Sequence, residues 1–428
     1  MNLLSARAWA ACSLFVFGQS VIAADSASPS LTLEQAVAAA VRSNPELATY
    51  EFLIRAQEAR IKQSALRPAP EISVEVENAL GTGEFRGVDS AETTLSLSQV
   101  FELGGKREAR IVAAQGVRSL LDVQQQVRQL DVLAAVTERF IVVAGRQEEL
   151  KLARLATQLA ETTVNGAQRR VDAARSPHAE LDRARIALDR AKLDEQHALS
   201  ELDTARAQLA AAWGEPKPVL DGRPLGEIRA DVFSMPPTTD FEALDARLAM
   251  NPDLLVFASE ARVREAELRL AATLRKPDIA VSLGARRLEA SNDHALVASF
   301  AIPLYSAGRS KSFISEAQAQ HDSVGAERRI AEIKARVALY QLHKQLQQAA
   351  LEANTLRTNI LPRTQEAMRE TQYAYERGRY GYVELVDAQR EYLSAQGSLI
   401  SASIEAHTLR AEIERLTNVP AFAPSANQ

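Results

Sequence analysis

Residues 70–107 decide the fold, and they read PEISVEVENALGTGEFRGVDSAETTLSLSQVFELGGKR. Two runs in this stretch alternate apolar and polar residues, with Ile72, Val74 and Val76 in the first and Leu95 and Leu97 in the second. A period of two places one residue class on each face of a β-strand. The Gly-rich segment between the runs supplies a turn. The stretch therefore predicts a β-hairpin with one apolar face and one polar face.

The composition limits the classes of protein to which the chain can belong. It has 428 residues, of which 46% are hydrophobic and 25% are charged, with a formal net charge of −5. This balance excludes a disordered chain and a basic nucleic-acid-binding surface. The length is sufficient for two or three ordinary domains.

The N-terminus has the pattern of a secretory signal. Arg7 precedes an apolar stretch, and small residues follow up to Ala24. We predict a signal peptide over residues 1–24, with cleavage after Ala23 or Ala24. The only cysteine, Cys12, lies inside it, so the mature chain is expected to lack thiols, disulfides and a lipid anchor. Beyond the signal, no uninterrupted apolar run approaches the roughly 18 residues typical of a membrane-spanning helix.

The chain contains an internal duplication. Residues 44–47, Asn-Pro-Glu-Leu, recur as Asn-Pro-Asp-Leu at residues 251–254, an offset of 207. The start of the hairpin recurs at the same offset, where residues 277–281 read Pro-Asp-Ile-Ala-Val. Further along, Gly105 corresponds to Gly308 and Glu180 to Glu384, at offsets of 203 and 204. Matches that keep register over so long a stretch indicate two copies of one unit.

Each copy is predicted to run helix, strand, strand, helix, helix. Within a copy, one helix of about 70 residues (105–175 or 309–377) equals two helices of about 36 residues stacked end to end, which predicts a wall of parallel rods. A linker rich in Pro and Gly lies at the waist of this wall. The predicted segments are the first repeat at 25–213 with its hairpin at 70–101, the linker at 214–240, the second repeat at 241–420 with its hairpin at 277–302, and a C-terminal tail at 421–428.

The two hairpins predict a membrane barrel built from several chains. A tilted strand of about 9–11 residues crosses the hydrocarbon core, and an open sheet edge cannot lie in lipid. Three copies with four strands each close a 12-stranded barrel. The predicted fold class is thus mainly α with a membrane β-barrel, in which the trimeric barrel is continuous with a long α-helical barrel.

The alternation of residues assigns each strand position to a face of this barrel. The residues predicted to face lipid are Ile72, Val74, Val76, Leu95, Leu97, Ile279, Val281, Leu283, Phe300 and Ile302. The residues predicted to face the water-filled lumen are Glu75, Glu77, Ser96, Ser282 and Arg286.

With these features established, the whole mature chain resembles the TolC-like outer-membrane efflux family, and residues 92–107, ETTLSLSQVFELGGKR, resemble its CzcC-like heavy-metal branch. The resemblance implies a passive homotrimeric conduit for divalent heavy-metal cations in the outer membrane of a Gram-negative bacterium, with the helical part in the periplasm. The partners it implies are outer-membrane lipid, a periplasmic membrane-fusion adaptor and an inner-membrane, proton-driven resistance-nodulation-division pump. Enzymatic activity, cofactors and nucleic-acid partners are not expected.

The resemblance also implies an acidic periplasmic entrance formed by Glu384 and Asp387, with Glu180 at the matching place of the first repeat. The alternative is that the acids only complement the dipole of the helix start. The two helix-to-helix turns lie about 70 residues from the hairpins and are predicted to form the gate and the adaptor-docking tip. The residues of this tip are Arg175, Pro177, His178, Tyr375, Arg377, Arg379 and Tyr380. Its tyrosines and arginines are expected to contact Glu180 or Asp172, and the alternative is a solvated charged turn.

Two glycines are predicted to turn the chain from strand to helix. Gly105 and Gly308 follow the second strand of each hairpin, where glycine permits a backbone turn that a side chain would obstruct. Lys106 and Arg107 just after the first glycine are predicted to anchor at the membrane interface. The alternative is an ordinary loop glycine.

The sequence contains no pattern typical of a tight metal site. The six histidines are isolated from one another, and each is expected to be a solvated helix residue. Metal as cargo therefore rests on the resemblance alone. Two other functions stay open at this point: a TolC-like exporter of organic toxins or polypeptides, and an exported helical scaffold or adhesin-like protein.

Overall fold

The computed structural model describes residues 30–417, so the predicted signal peptide and C-terminal tail lie outside the described residues. The helices of this range are α1 (Leu33–Ser43), α2 (Pro45–Ser64), α3 (Lys106–Asp172), α4 (His178–Ala210), α5 (Phe241–Leu248), α6 (Pro252–Thr273), α7 (Ser306–Arg309), α8 (Lys311–Thr355), α9 (Leu361–Glu376) and α10 (Tyr382–Thr417). The strands are β1 (Glu71–Glu77), β2 (Glu92–Phe101), β3 (Val219–Leu220), β4 (Arg223–Pro224), β5 (Ile279–Leu288) and β6 (Asp293–Ala301). Short 3₁₀ turns cover Gly83–Phe85 and Ala211–Trp213.

The repeated Asn-Pro motif joins short helices end to end. Asn44 caps α2, because its Oδ1 accepts hydrogen bonds from the backbone N–H groups of Glu46 (2.8 Å) and Leu47 (3.2 Å). Its side-chain amide also donates to the carbonyl of Ala212 at the end of the α4 segment, at 2.8 Å. Asn251 does the same in the second repeat, capping α6 and donating to the carbonyl of Leu416. Each asparagine thus satisfies orphan groups of two helix ends at once.

The two long rods differ in continuity. In the first repeat α3 runs unbroken for 67 residues, which corresponds to roughly 100 Å. In the second repeat the rod consists of α7, α8, a π turn at Leu356–Ile360 and α9. The prediction of one regular helix over residues 309–377 is therefore wrong at this turn. Pro362 explains the difference, because it has no N–H to donate to the carbonyl of Thr358 and its ring clashes with that carbonyl in a regular α-helix.

The hairpins combine into one antiparallel sheet of order β1-β2-β5-β6. The register aligns the apolar positions across the strands, because Ile72 lies opposite Leu97 and Leu97 lies opposite Leu283. All three side chains are more than half exposed in the single chain. The opposite face carries Glu75, Glu77 and Arg286, so the period of two holds through both hairpins.

The helices form a layer in two tiers. Next to the sheet the order of contacts is α2, α3, α6 and α8, and beyond the waist it is α4, α3, α10 and then α8 and α9. The linker packs over the waist, where Ile228 and Val232 are buried with Phe140 and Trp213. Among residues 30–417, none of the helices combines the length and the apolar character that a membrane crossing requires.

Two histidines hold the linker to the rods. Nε2–H of His343 donates to the carbonyl of Thr239 (3.0 Å), and Nε2–H of His407 donates to the carbonyl of Val232 (3.1 Å). His343 is only 5% exposed, and burial lowers the pKa of His407. The prediction that every histidine is a solvated helix residue is therefore wrong for these two. Nothing in their sequence spacing reveals the carbonyl groups that they meet in the fold.

Candidate functional site

The turns α3–α4 and α9–α10 lie side by side at the end of the rods opposite the sheet, and a cluster around Glu180 joins them. We call Arg170, Ser176, Glu180 and Tyr375 the tip latch. The Tyr375 hydroxyl donates to Oε1 of Glu180 at 2.7 Å, and the Ser176 hydroxyl donates to its other oxygen. Nε of Arg170 lies 3.6 Å from Oε1 of Glu180. A single carboxylate thus connects both turns.

Arg170 reinforces this cluster through the backbone of the second turn. Its Nη1 donates to the carbonyl of Tyr375 (3.0 Å) and to that of Tyr380 (3.4 Å). Its guanidinium also lies over the Tyr375 ring, 4.5 Å from the centroid, at a distance suited to a cation–π contact. Sequence reasoning missed Arg170, because a charged residue inside a long polar helix carries no local signal of its distant partner.

Burial determines the chemistry of the tip latch. Tyr375 is 2% exposed, and the side chain of Glu180 is 13% exposed. Burial raises the pKa of Tyr375, and the hydrogen bond to Glu180 raises it further. The phenol therefore stays protonated and remains the donor to the carboxylate. Burial also raises the pKa of the nearby Tyr382.

A cationic cavity of about 300 Å³ adjoins the tip latch. It is lined by Gly166, Arg169, Arg170, Ala173, Arg175, Tyr375 and Glu376. A Cβ atom on Gly166 would lie 3.4 Å from the Tyr375 ring, so this glycine permits the close approach of α9 to α3. The tip is thus a packed, charged junction between the two repeats.

The three predicted entrance carboxylates have different surroundings within one chain. Glu180 belongs to the tip latch, whereas Glu384 and Asp387 are exposed on the first turns of α10. Oε2 of Glu384 accepts a hydrogen bond from the backbone N–H of Gly381 at 3.1 Å, which is a capping contact. Asp387 lies 3.5 Å from Arg390 on the same helix.

The remaining predicted tip residues surround the two turns. Arg175, Pro177 and His178 are exposed, and Pro177 is the residue that precedes α4. Arg377 stacks on Tyr373 at 4.3 Å, and the backbone N–H of Arg379 donates to the carbonyl of Ala374. Of the predicted contacts to Glu180, the structure contains the one made by Tyr375. Within residues 30–417, Arg377 and Arg379 form no ion pair with Glu180 or Asp172.

The polar face of the sheet is organised around Arg286. Its guanidinium lies 2.8 Å from Glu77 and 2.7 Å from Glu92, and its Nε donates to the Thr94 hydroxyl at 2.9 Å. Glu75 lies one pair further along the same face, opposite Thr94. Glu75, Glu77 and Arg286 lie on the face predicted for them, and Glu92 joins them. The alternation in β2 predicts this position as well, because Glu92 is two residues before Thr94 and therefore lies on the same polar face.

The two strand-to-helix junctions are built differently. Gly105 precedes α3 in the left-handed conformation, with φ 73° and ψ 24°. In the second repeat Tyr305 has this conformation, with φ 62° and ψ 23°, whereas Gly308 lies inside α7. The prediction of a special turn at Gly308 is therefore wrong, because the left-handed residue comes three positions earlier in the chain.

The anchoring prediction for Lys106 is also wrong. This side chain is buried, and its ammonium pairs with Asp278 at 2.6 Å. Nε of Arg107 donates to the carbonyl of Ala65 at 2.6 Å. Both cations therefore join α3 to the hairpin roots within one chain.

No group of three or more His, Cys, Asp or Glu side chains in residues 30–417 is arranged to hold a metal ion. The geometry of this part of the chain consists of rods, a sheet, a waist and a latched tip. Its polar clusters are ion pairs and hydrogen bonds that join segments of the chain.

Comparison with known proteins identifies one family and two relatives with named functions. The sequence model of the family described as "Outer membrane efflux protein" matches residues 36–215 and 243–419. The chain is 29% identical over 388 residues to the cobalt-zinc-cadmium resistance protein CzcC of Cupriavidus metallidurans, covering 90% of each chain. It is 28% identical over 310 residues to the nickel and cobalt resistance protein CnrC of the same organism, covering 70% of each.

A solved structure shows the same fold. The CmeC outer membrane channel of Campylobacter jejuni superposes with a TM-score of 0.72 at 13% identity, covering 91% of this chain and 86% of that one. At this identity the likeness establishes the fold alone. The sheet, the stacked short helices and the long rods are thus arranged as in that channel.

Proposed function

The chain belongs to the outer membrane efflux protein family, and on this premise we propose that it is the outer-membrane channel of a tripartite heavy-metal exporter. In this proposal a trimer conducts divalent cations from the periplasm to the exterior, supplied by a periplasmic adaptor and an inner-membrane, proton-driven pump. The observation that carries the choice of cargo is the likeness to CzcC over 90% of both chains, which includes both repeats. Members of this family are passive conduits and not enzymes.

The two lateral edges of the helical layer support a ring of chains. One edge consists of α2 and α4 and exposes Phe52 and Leu193. The other consists of α8 and α9 and exposes Ile333, Val337 and Leu351. Because the two edges are different surfaces, a contact between them is head-to-tail, and such contacts form a ring when the rotation from one copy to the next closes.

The two edges of the sheet also support a ring of chains. Within the described chain, β1 and β6 each pair with only one strand, so each leaves an edge of unpaired backbone groups. In lipid these groups need a partner, and β1 of one copy paired with β6 of the next supplies it. Three copies then give the 12-stranded barrel. The exposed apolar face of the sheet is suited to the surrounding lipid.

The tip supports a gate at the periplasmic end. The tip latch connects the two turns within one chain, so the proposed resting state is closed, and docking of the adaptor would separate Glu180 from Tyr375. Glu384 and Asp387 remain exposed beside this latch and are proposed to form the acidic entrance. Three chains would contribute six such carboxylates to a narrow mouth, which concentrates cations.

Metal survival tests the proposed cargo. Deletion of the gene should sensitise the host to zinc, cobalt or cadmium while leaving its tolerance of unrelated drugs unchanged, and the full-length gene should restore growth. Lost drug tolerance with unchanged metal tolerance would contradict the proposed cargo and favour export of organic toxins.

Single-channel recording tests the proposed entrance. The double variant Glu384→Ala with Asp387→Ala should lower cation-over-anion selectivity and weaken block by multivalent cations. A matched control removes two exposed carboxylates from α4, Asp189→Ala with Asp194→Ala, and should behave like the wild type. Equal selectivity in all three proteins would leave Glu384 with only its capping contact to Gly381.

A further inference from the structure

Unpaired cations collect where the strands meet the helices. Arg67 precedes β1, Arg275 and Lys276 precede β5, and Arg309 and Lys311 follow β6. All five residues are exposed, and within residues 30–417 none of their side chains pairs with a carboxylate. We call these five residues the junction belt.

Two carboxylates at the junctions are engaged by cations of the fourth junction, which follows β2. Asp278 is held by Lys106 at 2.6 Å, and Glu102 is bound by the guanidinium of Arg110.

The carboxylates nearest to Arg67 and Lys311 in sequence are Glu71 and Glu316, and both are exposed without an ion pair within residues 30–417. The five cations of the junction belt outnumber these two carboxylates. A net positive charge is therefore left for an external partner.

One member of the junction belt is held in place by the fold. Gly104 has φ +82°, and a Cβ atom built on it would lie 2.9 Å from Cδ of Lys276. The aliphatic stem of Lys276 therefore packs against the bare backbone of Gly104. Because the stem is fixed there while the residue remains exposed, its ammonium is presented to the surroundings.

The opposite end of the sheet has the opposite character. The long turn between β1 and β2 carries Glu84 and Asp89 with Arg86. The short turn between β5 and β6 carries Glu289, and Asp293 begins β6. Of the nearby arginines, Arg287 is paired with Glu289 at 2.8 Å. The sheet thus has a basic rim toward the helices and an acidic rim at the hairpin turns, with the exposed apolar face between them.

We propose that the junction belt binds the headgroups of anionic phospholipids in the periplasmic leaflet of the outer membrane. The inference rests on the proposed function, which places the sheet in that membrane with the helices on the periplasmic side. Ammonium and guanidinium groups bind phosphate oxygens, and basic residues at a bilayer surface attract anionic lipids. Exposed Phe101 and Phe300, at the strand ends nearest the helices, give the acyl chains an apolar surface beside these cations.

Native mass spectrometry of the full-length protein tests this binding. The protein is exchanged into neutral detergent containing equal amounts of phosphatidylglycerol and phosphatidylcholine, and the retained lipids are counted per chain. The belt variant replaces all five cations by Gln: Arg67, Arg275, Lys276, Arg309 and Lys311. The control variant replaces five exposed cations elsewhere by Gln: Arg183, Arg190, Lys192, Lys217 and Arg363.

The wild type and the control variant should retain phosphatidylglycerol in preference, and the belt variant should lose this preference by at least about tenfold. Equal preference in the belt variant and the wild type, or equal loss in both variants, would overturn the proposal. Glycerol phosphate, added in an amount equimolar to the lipid, separates the two sources of phosphate, and the lipid should stay bound. Displacement of the lipid by an equimolar amount of glycerol phosphate would show a free-anion site and would also overturn it.

A smaller variant keeps the test decisive if the fivefold change prevents assembly. Arg309→Gln with Lys311→Gln removes two charges from one junction and should lower phosphatidylglycerol retention severalfold, whereas Arg190→Gln with Lys192→Gln should not. Failure of the proposed function has a different signature, since the wild-type protein would then form no trimer and conduct no ions. Failure of the belt proposal leaves trimer and conductance intact while lipid retention no longer depends on the belt.

Discussion

The two repeats share one order of helices and strands but differ where each long rod begins and where it crosses the waist. The first rod follows Gly105 and runs unbroken as α3. The second follows Tyr305 and contains a π turn ahead of Pro362, where Arg357 donates to the linker carbonyl of Phe233 at 2.9 Å. The two repeats thus have the same arrangement of rods and strands but differ in local backbone conformation.

The same divergence separates two carboxylates at matching places. Glu180 is buried in the tip latch, whereas Glu384 is exposed and contacts only the backbone of its own turn among the described residues. Under the proposed function, the first repeat would contribute a closing contact to a ring of chains and the second would contribute free negative charge. Equivalent positions in sequence thus have different surroundings in the fold.

The largest expected effect tests where the repeats are alike. Val74 lies opposite Leu95 and Leu283 lies opposite Leu97, so both occupy the middle of the apolar face. Val74→Arg and Leu283→Arg should each cost about 2–4 kcal/mol of folding free energy in lipid if they lie near the bilayer midplane. Unfolding in lipid vesicles and the yield of trimer measure this cost.

Other positions of the sheet supply controls for these two arginine substitutions. Val281 lies opposite Gln99, nearer the helices, so Val281→Arg should cost less than Leu283→Arg. Ser282→Arg and Ser299→Arg lie on the polar face and should leave trimer yield unchanged. Equal tolerance of Arg on both faces would contradict the placement of the sheet in lipid.

The second effect tests where the repeats differ. Glu180→Gln removes the charge that Tyr375, Ser176 and Arg170 surround, and a buried hydrogen bond to a charged group contributes about 1.5–3 kcal/mol. The variant should show a lower unfolding free energy and a larger single-channel conductance, because the tip latch opens. Glu384→Gln should change stability by only about 0.3–1 kcal/mol, as expected for an exposed charge at a helix start.

The variant Tyr375→Phe tests the tip latch independently. It removes the 2.7 Å donor to Glu180 while keeping the ring beside Gly166 and Arg170. Its conductance should rise in the same direction as that of Glu180→Gln. Equal effects of Glu180→Gln and Glu384→Gln would show that the two carboxylates are equivalent after all.

Short-range patterns were enough to predict the layout of the chain. The alternation around Val74 and Leu283 indicated the strands and their faces, and the recurrence of the Asn-Pro motif of Asn44 at Asn251 indicated the duplication. These features depend on neighbours in sequence. Pro362 carried a readable signal as well, since a proline inside a helical pattern disrupts the regular hydrogen bonding.

The contacts at the tip and waist could not be predicted from the sequence. Arg170 acts through Tyr375 and Tyr380, which are more than 200 residues away in the chain. His407 acts through the carbonyl of Val232, and a backbone carbonyl leaves no mark in the sequence. The left-handed conformation of Tyr305 was hidden for another reason, because a residue with a side chain gives no warning of positive φ.

The third effect returns to the junctions. Gly105→Ala places a side chain in the left-handed region and should destabilise the protein by about 1–2 kcal/mol. Gly308→Ala lies in a helix, where an added Cβ meets no atom of the structure within 4 Å, and should stabilise it by about 0.5–1 kcal/mol. Thermal unfolding of the two variants should thus give shifts of opposite sign. Shifts of the same sign would show that the junctions are equivalent.

The smallest effect concerns His407 on α10, which holds the linker through the carbonyl of Val232. Burial lowers the pKa of His407 below its ordinary value of 6.5, although the carbonyl of Val232 and nearby Asp231 oppose the shift. The unfolded chain therefore takes up a proton before the folded one does as the pH falls through 6.5. Stability from this group is complete above that pH and declines below it, by at most about 1.4 kcal/mol per pH unit. The thermal midpoint should fall between pH 7 and pH 5, and His407→Gln should flatten the slope, because Gln can still donate to Val232 but does not titrate. His197→Gln changes an exposed histidine on α4 and should leave the slope unchanged, and an equal flattening by both variants would show that burial of His407 is not the cause.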